Sequence, residues 1–272
     1  MSLVDGSDRG SAAADADTVT IAVEAARGGA AVGKVIKAGE RCTGLLGRRV
    51  VVGPADPCGE CEVCRRGGAS VCPAARARPP IEGGRLIAAG RWVVALDDGL
   101  ELSEPAAAIA GDATLAYTMY ARTNLAPREP AIVTGEGEVA RYLIEILLAK
   151  GIAVTVVADP DSAAWCAWLA GKQVPVVAAR AIADVRAALV AAYAAQGLGL
   201  RPWRILATGA HELAAALAGP RATLTLLAPV ATLPGRLVAD EVTVIGVAAP
   251  HPDLVVEVAA MCVKGEITLT LT

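Results

Sequence analysis

The chain has 272 residues and a formal net charge of −3, long enough for two domains with separate cores and too balanced in charge for general attraction to nucleic acid. Apolar windows such as 254–263 are broken by charges within fewer than the ~18 residues a bilayer span needs, which argues against a membrane protein. Phe is absent and aromatics are scarce, so the core must be built from Ala, Val, Leu and Ile.

The first 18 residues are acidic and rich in small residues, with neither a positive start nor an apolar run. They read as a disordered tail without a secretory signal, so the expected location is the cytoplasm and the cysteines are expected to stay reduced. From residue 19 to 104 short β runs alternate with Gly and Pro: 18–25, 34–38, 49–54 and 85–98. That texture predicts a small β domain. After residue 105 strands and helices alternate. Strands are expected at 130–135, 152–158, 173–178, 203–208, 222–228 and 241–247, with helices at 138–150, 160–171, 181–196, 210–218 and 251–264. Several of these strands are apolar on both faces, as in a parallel sheet covered by helices, so the second half, 105–272, predicts a doubly wound α/β domain.

The segment 58-CGECEVCRRGGASVC-72 spaces Cys58, Cys61, Cys64 and Cys72 as C-x2-C-x2-C-x7-C. Four thiolates close a tetrahedral zinc shell that leaves no position open for water or substrate, so this lobe, residues 55–82, predicts one structural zinc and no chemistry. Redox-active thiols are the competing reading, and four cysteines at this regularity disfavour it. Cys42, Cys166 and Cys262 stand alone in apolar contexts and read as core packing. The arginines around the lobe (Arg65, Arg66, Arg76, Arg78) read as a solvated face.

The stretch 47-GRRVVVGPADPCGECEVCRRGGASVCP-73 resembles the structural-zinc lobe of the medium-chain dehydrogenases, the zinc-containing alcohol dehydrogenase superfamily. Residues 84–108, 130–159 and 235–247 follow in the same order, and the second half is most similar to dehydrogenases of cyclic hydroxyacyl-CoA thioesters. The resemblance implies a GroES-like β domain, here 19–104 and shortened, joined to a Rossmann domain with the active site in the cleft between them. It also implies a homodimer through the strand around 241–247.

The turn 135-GEGEVA-140 follows a strand and opens a helix, the context in which G-x-G-x-x-A binds a dinucleotide. Gly135 permits the tight turn, Gly137 lets backbone approach a pyrophosphate, and Ala140 allows close helix packing. The nucleotide implied is NAD(P). Glu136 and Glu138 bring negative charge to that place, and Glu138 stands where the family has Pro. The ribose-binding acid falls at Ala158 by count, with Asp159 one residue later. Two readings stay open: retained dinucleotide binding, or a Rossmann fold kept for its architecture.

The resemblance also implies three catalytic-zinc ligands, and this sequence lacks the residues for them. The segment carrying the first is missing between 19-VTIAVEAARGG-29 and the next strand, and the second falls among Gly28, Gly29 and Ala30. The third falls at Gly111, with Asp112 beside it, which reads as a helix cap or surface carboxylate. The histidines, His211 and His251, sit at helix starts and read as helix-start or interface residues. No catalytic residue is therefore assigned. The chain is expected to be a shortened, repurposed member that binds a ligand, peptide or partner protein at the cleft or an exposed sheet edge. An NAD(P)H oxidoreductase working without catalytic zinc is the alternative.

Overall fold

The computed structural model describes residues 16–78, 80–96, 104–126, 129–178, 181–198, 203–228, 230 and 233–269. Most of the expected tail, and the last three residues of the chain, lie outside them.

The first half forms a five-stranded antiparallel sheet. Its members are β1 (Thr18–Arg27), β2 (Ala30–Ala38), β3 (Arg49–Val52), β6 (Arg85–Ala89) and β7 (Val93–Ala95), ordered β6-β1-β2-β3-β7. Between β3 and β6 the chain leaves the sheet for a lobe made of β4 (Ala55–Asp56), α1 (Glu62–Arg65) and β5 (Arg76–Ala77). The run expected at 85–98 is broken by a 3-10 turn at Gly90–Trp92. A Cβ at Gly90 would lie 2.2 Å from the Cys42 sulfur, so the chain needs glycine to pass there.

Period-two alternation splits the apolar residues of β2 and β3 between two cores. Ala31, Val35, Val50 and Val52 join Val19, Ile21 and Leu86 in the core of the antiparallel sheet. Ala30, Val32 and Val51 point the other way and join the main core of the second half. The halves are thereby joined through buried side chains, with α2 (Glu104–Ala107) and the 3-10 turn Ala108–Ala110 between them.

After α3 (Asp112–Thr123) the second half alternates strand and helix: β8 (Ala131–Thr134), α4 (Glu138–Ala149), β9 (Val154–Ala158), α5 (Ala163–Gly171), β10 (Val176–Ala178), α6 (Ile182–Ala195), β11 (Arg204–Ala207), α7 (His211–Leu217), β12 (Thr223–Leu226), α8 (Arg236–Ala239), β13 (Thr243–Gly246) and α9 (Val255–Val263). Its six strands are parallel in the order β10-β9-β8-β11-β12-β13. That order reverses direction between β8 and β11, where a doubly wound sheet opens its ligand crevice. β10 begins later than the expected 173, because Pro175 cannot donate to the ladder. α4 is buried almost all round, and its one buried acid, Glu145, is satisfied by Lys172 Nζ (2.7 Å) and by the backbone N–H of Thr268 (2.9 Å). No helix among the described residues is long and apolar enough to cross a membrane.

Candidate functional site

The four expected ligands meet. One sulfur from each of Cys58, Cys61, Cys64 and Cys72 lies within 4.8 Å of all the others. Three of the separations are 3.5 Å (Cys58–Cys72), 3.8 Å (Cys61–Cys72) and 4.0 Å (Cys58–Cys64). A tetrahedron with Zn–S bonds of about 2.3 Å has an edge of about 3.8 Å, so the cluster already has the size of a zinc shell. Local backbone sets it up. Cys61 caps α1 and accepts from the Cys64 N–H, and the N–H groups of Cys61 and Cys58 point at the sulfurs of Cys58 and Cys72, each at 3.4 Å. Hydrogen bonds from the backbone of Glu60 and Cys61, with help from Cys72, pull the Cys58 thiol down to about 6. Desolvation and sharing with Cys72 push Cys64 up to about 12. Crowded thiols thus retain protons unequally, and a dication would displace them all.

Pro57, Ala69 and Cys72 are the buried residues of the lobe among those described, too few for a core, so the sulfur cluster takes the place of one. Side chains from outside hold the lobe down. Trp92 Nε1 donates to the Pro57 carbonyl (2.8 Å), Arg91 Nη2 to the Cys58 carbonyl (2.5 Å), and the His251 ring meets the Gly67 carbonyl (2.8 Å). Arg78 corrects the expected solvated face. Its side chain is 4% exposed, pairs with Asp56 at 2.9 Å and donates to the carbonyls of Gly53 and Ala55. Arg65, Arg66 and Arg76 are exposed as expected. Of the lone cysteines, Cys42 and Cys262 pack against core clusters, whereas Cys166 is half-buried with its thiol toward the Asp159 carbonyl.

The glycine turn lies where β8 and β11 diverge. Gly135 has φ of 100°, and a Cβ there would come within 2.3 Å of the Gly209 nitrogen, so only glycine fits between these two loops. Gly137 has φ of 95° with open space around it, and Ala140 is fully buried against the strand layer. Ala158 ends β9 buried, while Asp159 is exposed and accepts from the backbone N–H of Asp161 in its own turn.

In the antiparallel half, β1 and β2 are joined directly by Gly28 and Gly29, both at positive φ (57° and 83°), the two-residue hairpin that suits right-twisted strands. This tight turn lies against Pro54, which a Cβ at Gly29 would approach to 2.9 Å. The positions implied for the second and third catalytic ligands do lie close together, since a Cβ at Gly111 would lie 3.7 Å from that of Ala30. What they bring together is two small residues and Asp112. Among the described residues, the lobe cysteines are the one cluster of three or more ligating side chains close enough to share an ion.

Sequence reasoning missed the partner that enters this space. Arg27, at the end of β1, forms an ion pair with Glu138, the first residue of α4, with side chains 23% and 9% exposed. Asp112 completes the group. It is not the cap of α3, which makes no side-chain capping bond. Burial, then the Glu138 carboxylate, push the Asp112 carboxyl up, and Arg27 pulls it partly back. The positive end of α4, where a phosphate would bind, already faces a carboxylate with its own counter-ion. No local signal links Arg27 to Glu138, because their meeting depends on how the halves pack.

Residues 4–97 match the family model of the alcohol dehydrogenase GroES-like domain. Galactitol-1-phosphate dehydrogenase from Escherichia coli superposes with a TM-score of 0.78 at 19% identity, over 99% of this chain and 86% of that one. The chain has the medium-chain dehydrogenase fold. A short chain alcohol dehydrogenase from E. coli CFT073, complexed with NADH, gives a TM-score of 0.76 at 16% identity, covering 94% and 83%. A cobalt- and zinc-bound thermostable alcohol dehydrogenase from Pyrobaculum aerophilum gives 0.71 at 19%, covering 93% and 82%. No curated protein matches. At these identities the likeness carries the medium-chain dehydrogenase fold alone.

Proposed function

We propose that this is a non-catalytic, repurposed protein of the medium-chain dehydrogenase fold, cytoplasmic, with one structural zinc on Cys58, Cys61, Cys64 and Cys72. Its interdomain cleft or an exposed sheet edge would take a ligand, peptide or partner protein. The observation that carries the reading is the Arg27–Glu138 pair with Asp112 beside it, at the helix end a pyrophosphate would need. A dinucleotide entering there would have to displace Arg27 and face two carboxylates. The β1–β2 hairpin adds support, because Gly28, Gly29 and Ala30 offer no side-chain ligand. Bound zinc would supply folding free energy to a lobe without a core and no reaction step.

A titration with NADH and NADPH, followed by nucleotide fluorescence and heat, tests this. Absence of binding at millimolar nucleotide is the expected result. Micromolar binding would overturn it in favour of a second reading, an NAD(P)H-dependent oxidoreductase working without catalytic zinc. One observation favours that reading: Gly135 and Gly137 keep positive φ, with open space at Gly137 and Ala140 buried, as a working phosphate turn needs.

The proposed assembly is a homodimer along β13. This strand is an edge of the parallel sheet, and Val244 on it is 39% exposed. An unpaired apolar edge is a template for another strand, here from a second copy. Light scattering giving a monomer at micromolar concentration would sink the dimer.

A further inference from the structure

β6 is an edge of the antiparallel sheet, and its register leaves one residue of it open. In antiparallel pairing every second residue turns its N–H and C=O to the partner strand. The Gly84 carbonyl accepts from the Val23 N–H, and the Gly90 N–H donates to the Asp17 carbonyl, so these residues face the chain of β1. Arg85, Ile87 and Ala89 therefore face outward. Arg85 spends its N–H and C=O on Glu82, and the Ala89 N–H donates to Asp56 Oδ2 at 3.3 Å. The N–H and C=O of Ile87 have no partner among the described residues, and its side chain is 54% exposed.

Beyond that edge lies the cysteine lobe, and a groove of about 540 Å³ runs between β6 and β5. A second hollow of about 680 Å³ shares Arg76, Ala89 and Arg91 with it and carries the groove on to Arg41. Charge favours an acidic occupant. Residues 16–96 hold twelve Lys and Arg against seven Asp and Glu, an excess of +5 in a chain whose total is −3. A zinc held by four thiolates would lower that excess without reversing it. Within the groove Arg41 is paired with Asp17 at 3.1 Å, and Asp56 with Arg78 at 2.9 Å. Arg76 is exposed without a partner among the described residues, and Arg91 reaches the Cys58 carbonyl through Nη2 alone. Among the described lining residues, Glu60 is the acid left to set against these two.

We infer that the β6 edge and this groove bind an extended acidic peptide segment of a partner protein. One residue of the segment exchanges both backbone bonds with Ile87 and lays an apolar side chain over it, while carboxylates of the neighbouring residues accept from Arg76 and Arg91. The open edge is one residue long, closed by the Glu82 turn at one end and by Asp56 at the other, so the register of the segment is fixed. The inference rests on the reading of the chain as a binding protein with an exposed sheet edge, and it names the edge and the partner.

The test titrates the zinc-loaded full chain with a short blocked peptide alternating Glu and Val. Binding is followed by anisotropy of the labelled peptide and by backbone amide resonances, Ile87 among them. Saturable binding is expected, with the largest shifts along β6. A peptide alternating Gln and Val should bind at least about tenfold weaker, the share of a charge-assisted hydrogen bond. N-methylation of the valines, which removes the peptide's donors toward Ile87, should also weaken binding. I87P removes the open N–H without breaking a bond to β1, and should weaken the Glu peptide in the same way. Should that variant not fold, R76E changes an exposed side chain without a partner. It should weaken the Glu peptide at least about tenfold and favour a peptide alternating Lys and Val. Equal binding of the Glu and Gln peptides, indifference to N-methylation, undiminished binding to R76E, or largest shifts at β13 would each overturn the site. Shifts at Ile87 that grow with protein concentration in the absence of peptide would make a second copy the occupant and overturn the peptide. The nucleotide titration is independent. NADH binding alongside peptide binding would overturn the non-catalytic reading and leave the peptide site standing, whereas absence of both would leave that reading and remove the site.

Discussion

His251 Nε2 lies 2.8 Å from the carbonyl oxygen of Gly67, a contact between residues 184 apart in the sequence. A carbonyl only accepts, so Nε2 carries the proton. The His251 backbone N–H meanwhile donates to the Thr118 hydroxyl on α3 at 3.0 Å. One residue thus fastens the cysteine lobe to the parallel-sheet half. The bond bears on neither core directly, so its removal should loosen the lobe more than the molecule. H251A is expected to cost about 1 kcal/mol. It should speed zinc release to a chelator and hydrogen exchange at the lobe amides, with little change in exchange across β8 and β11. H251Q, which keeps a donor of similar reach, should recover much of the effect.

The sulfur cluster is the lobe's substitute for a core, so metal and lobe structure should be lost together. Elemental analysis is expected to give one zinc per chain, falling to near zero in C61S. In zinc-finger peptides the metal contributes about 10 kcal/mol or more to folding, and the lobe should become protease-sensitive without it. The parallel sheet, with its separate cores, should keep its circular dichroism. Two tightly held zincs per chain would contradict the proposal of one structural zinc, since the described residues form no second ligand cluster.

The Arg27–Glu138 pair is mostly buried, and truncating one partner strands the other. R27A should therefore destabilise more than R27A/E138A, with a coupling of about 1–3 kcal/mol in a double-mutant cycle read by urea denaturation. R27A/E138P also removes the ion pair from the helix end. It is expected to bind NADH more tightly than the parent chain does. Unchanged or weaker nucleotide binding in that variant would show that the pair is not what keeps the nucleotide out.

Asp112 gives stability a dependence on pH. Its folded-state pKa is raised above the ordinary 3.8, first by burial and then by Glu138, against the pull of Arg27. The folded protein then holds this proton more tightly than the unfolded chain does. The favourable contribution is present in full below pH 3.8 and is lost as pH rises through the raised folded value. D112N removes the titration. It should raise the melting temperature at pH 7, and the gain should shrink as pH falls toward 4. An equal gain at both pH values would exclude Asp112 as the source.

Sequence alone determined what depends on short spacings. Cys58, Cys61, Cys64 and Cys72 are close along the chain, so their separation limits how far apart four sulfurs can lie, and N–H···S bonds complete the shell. Doubly apolar strands alternating with helices admit few arrangements besides a parallel sheet, and Gly135 and Gly137 mark backbone that other residues cannot adopt. Tertiary structure decided the rest. An arginine reads as solvated until the fold buries it, as with Arg78 against Asp56, and a glutamate at a glycine turn reads as mere repulsion until Arg27 arrives from another domain. These pairings join segments far apart in sequence. Their energy depends on distance and desolvation, which are set only once both cores have packed.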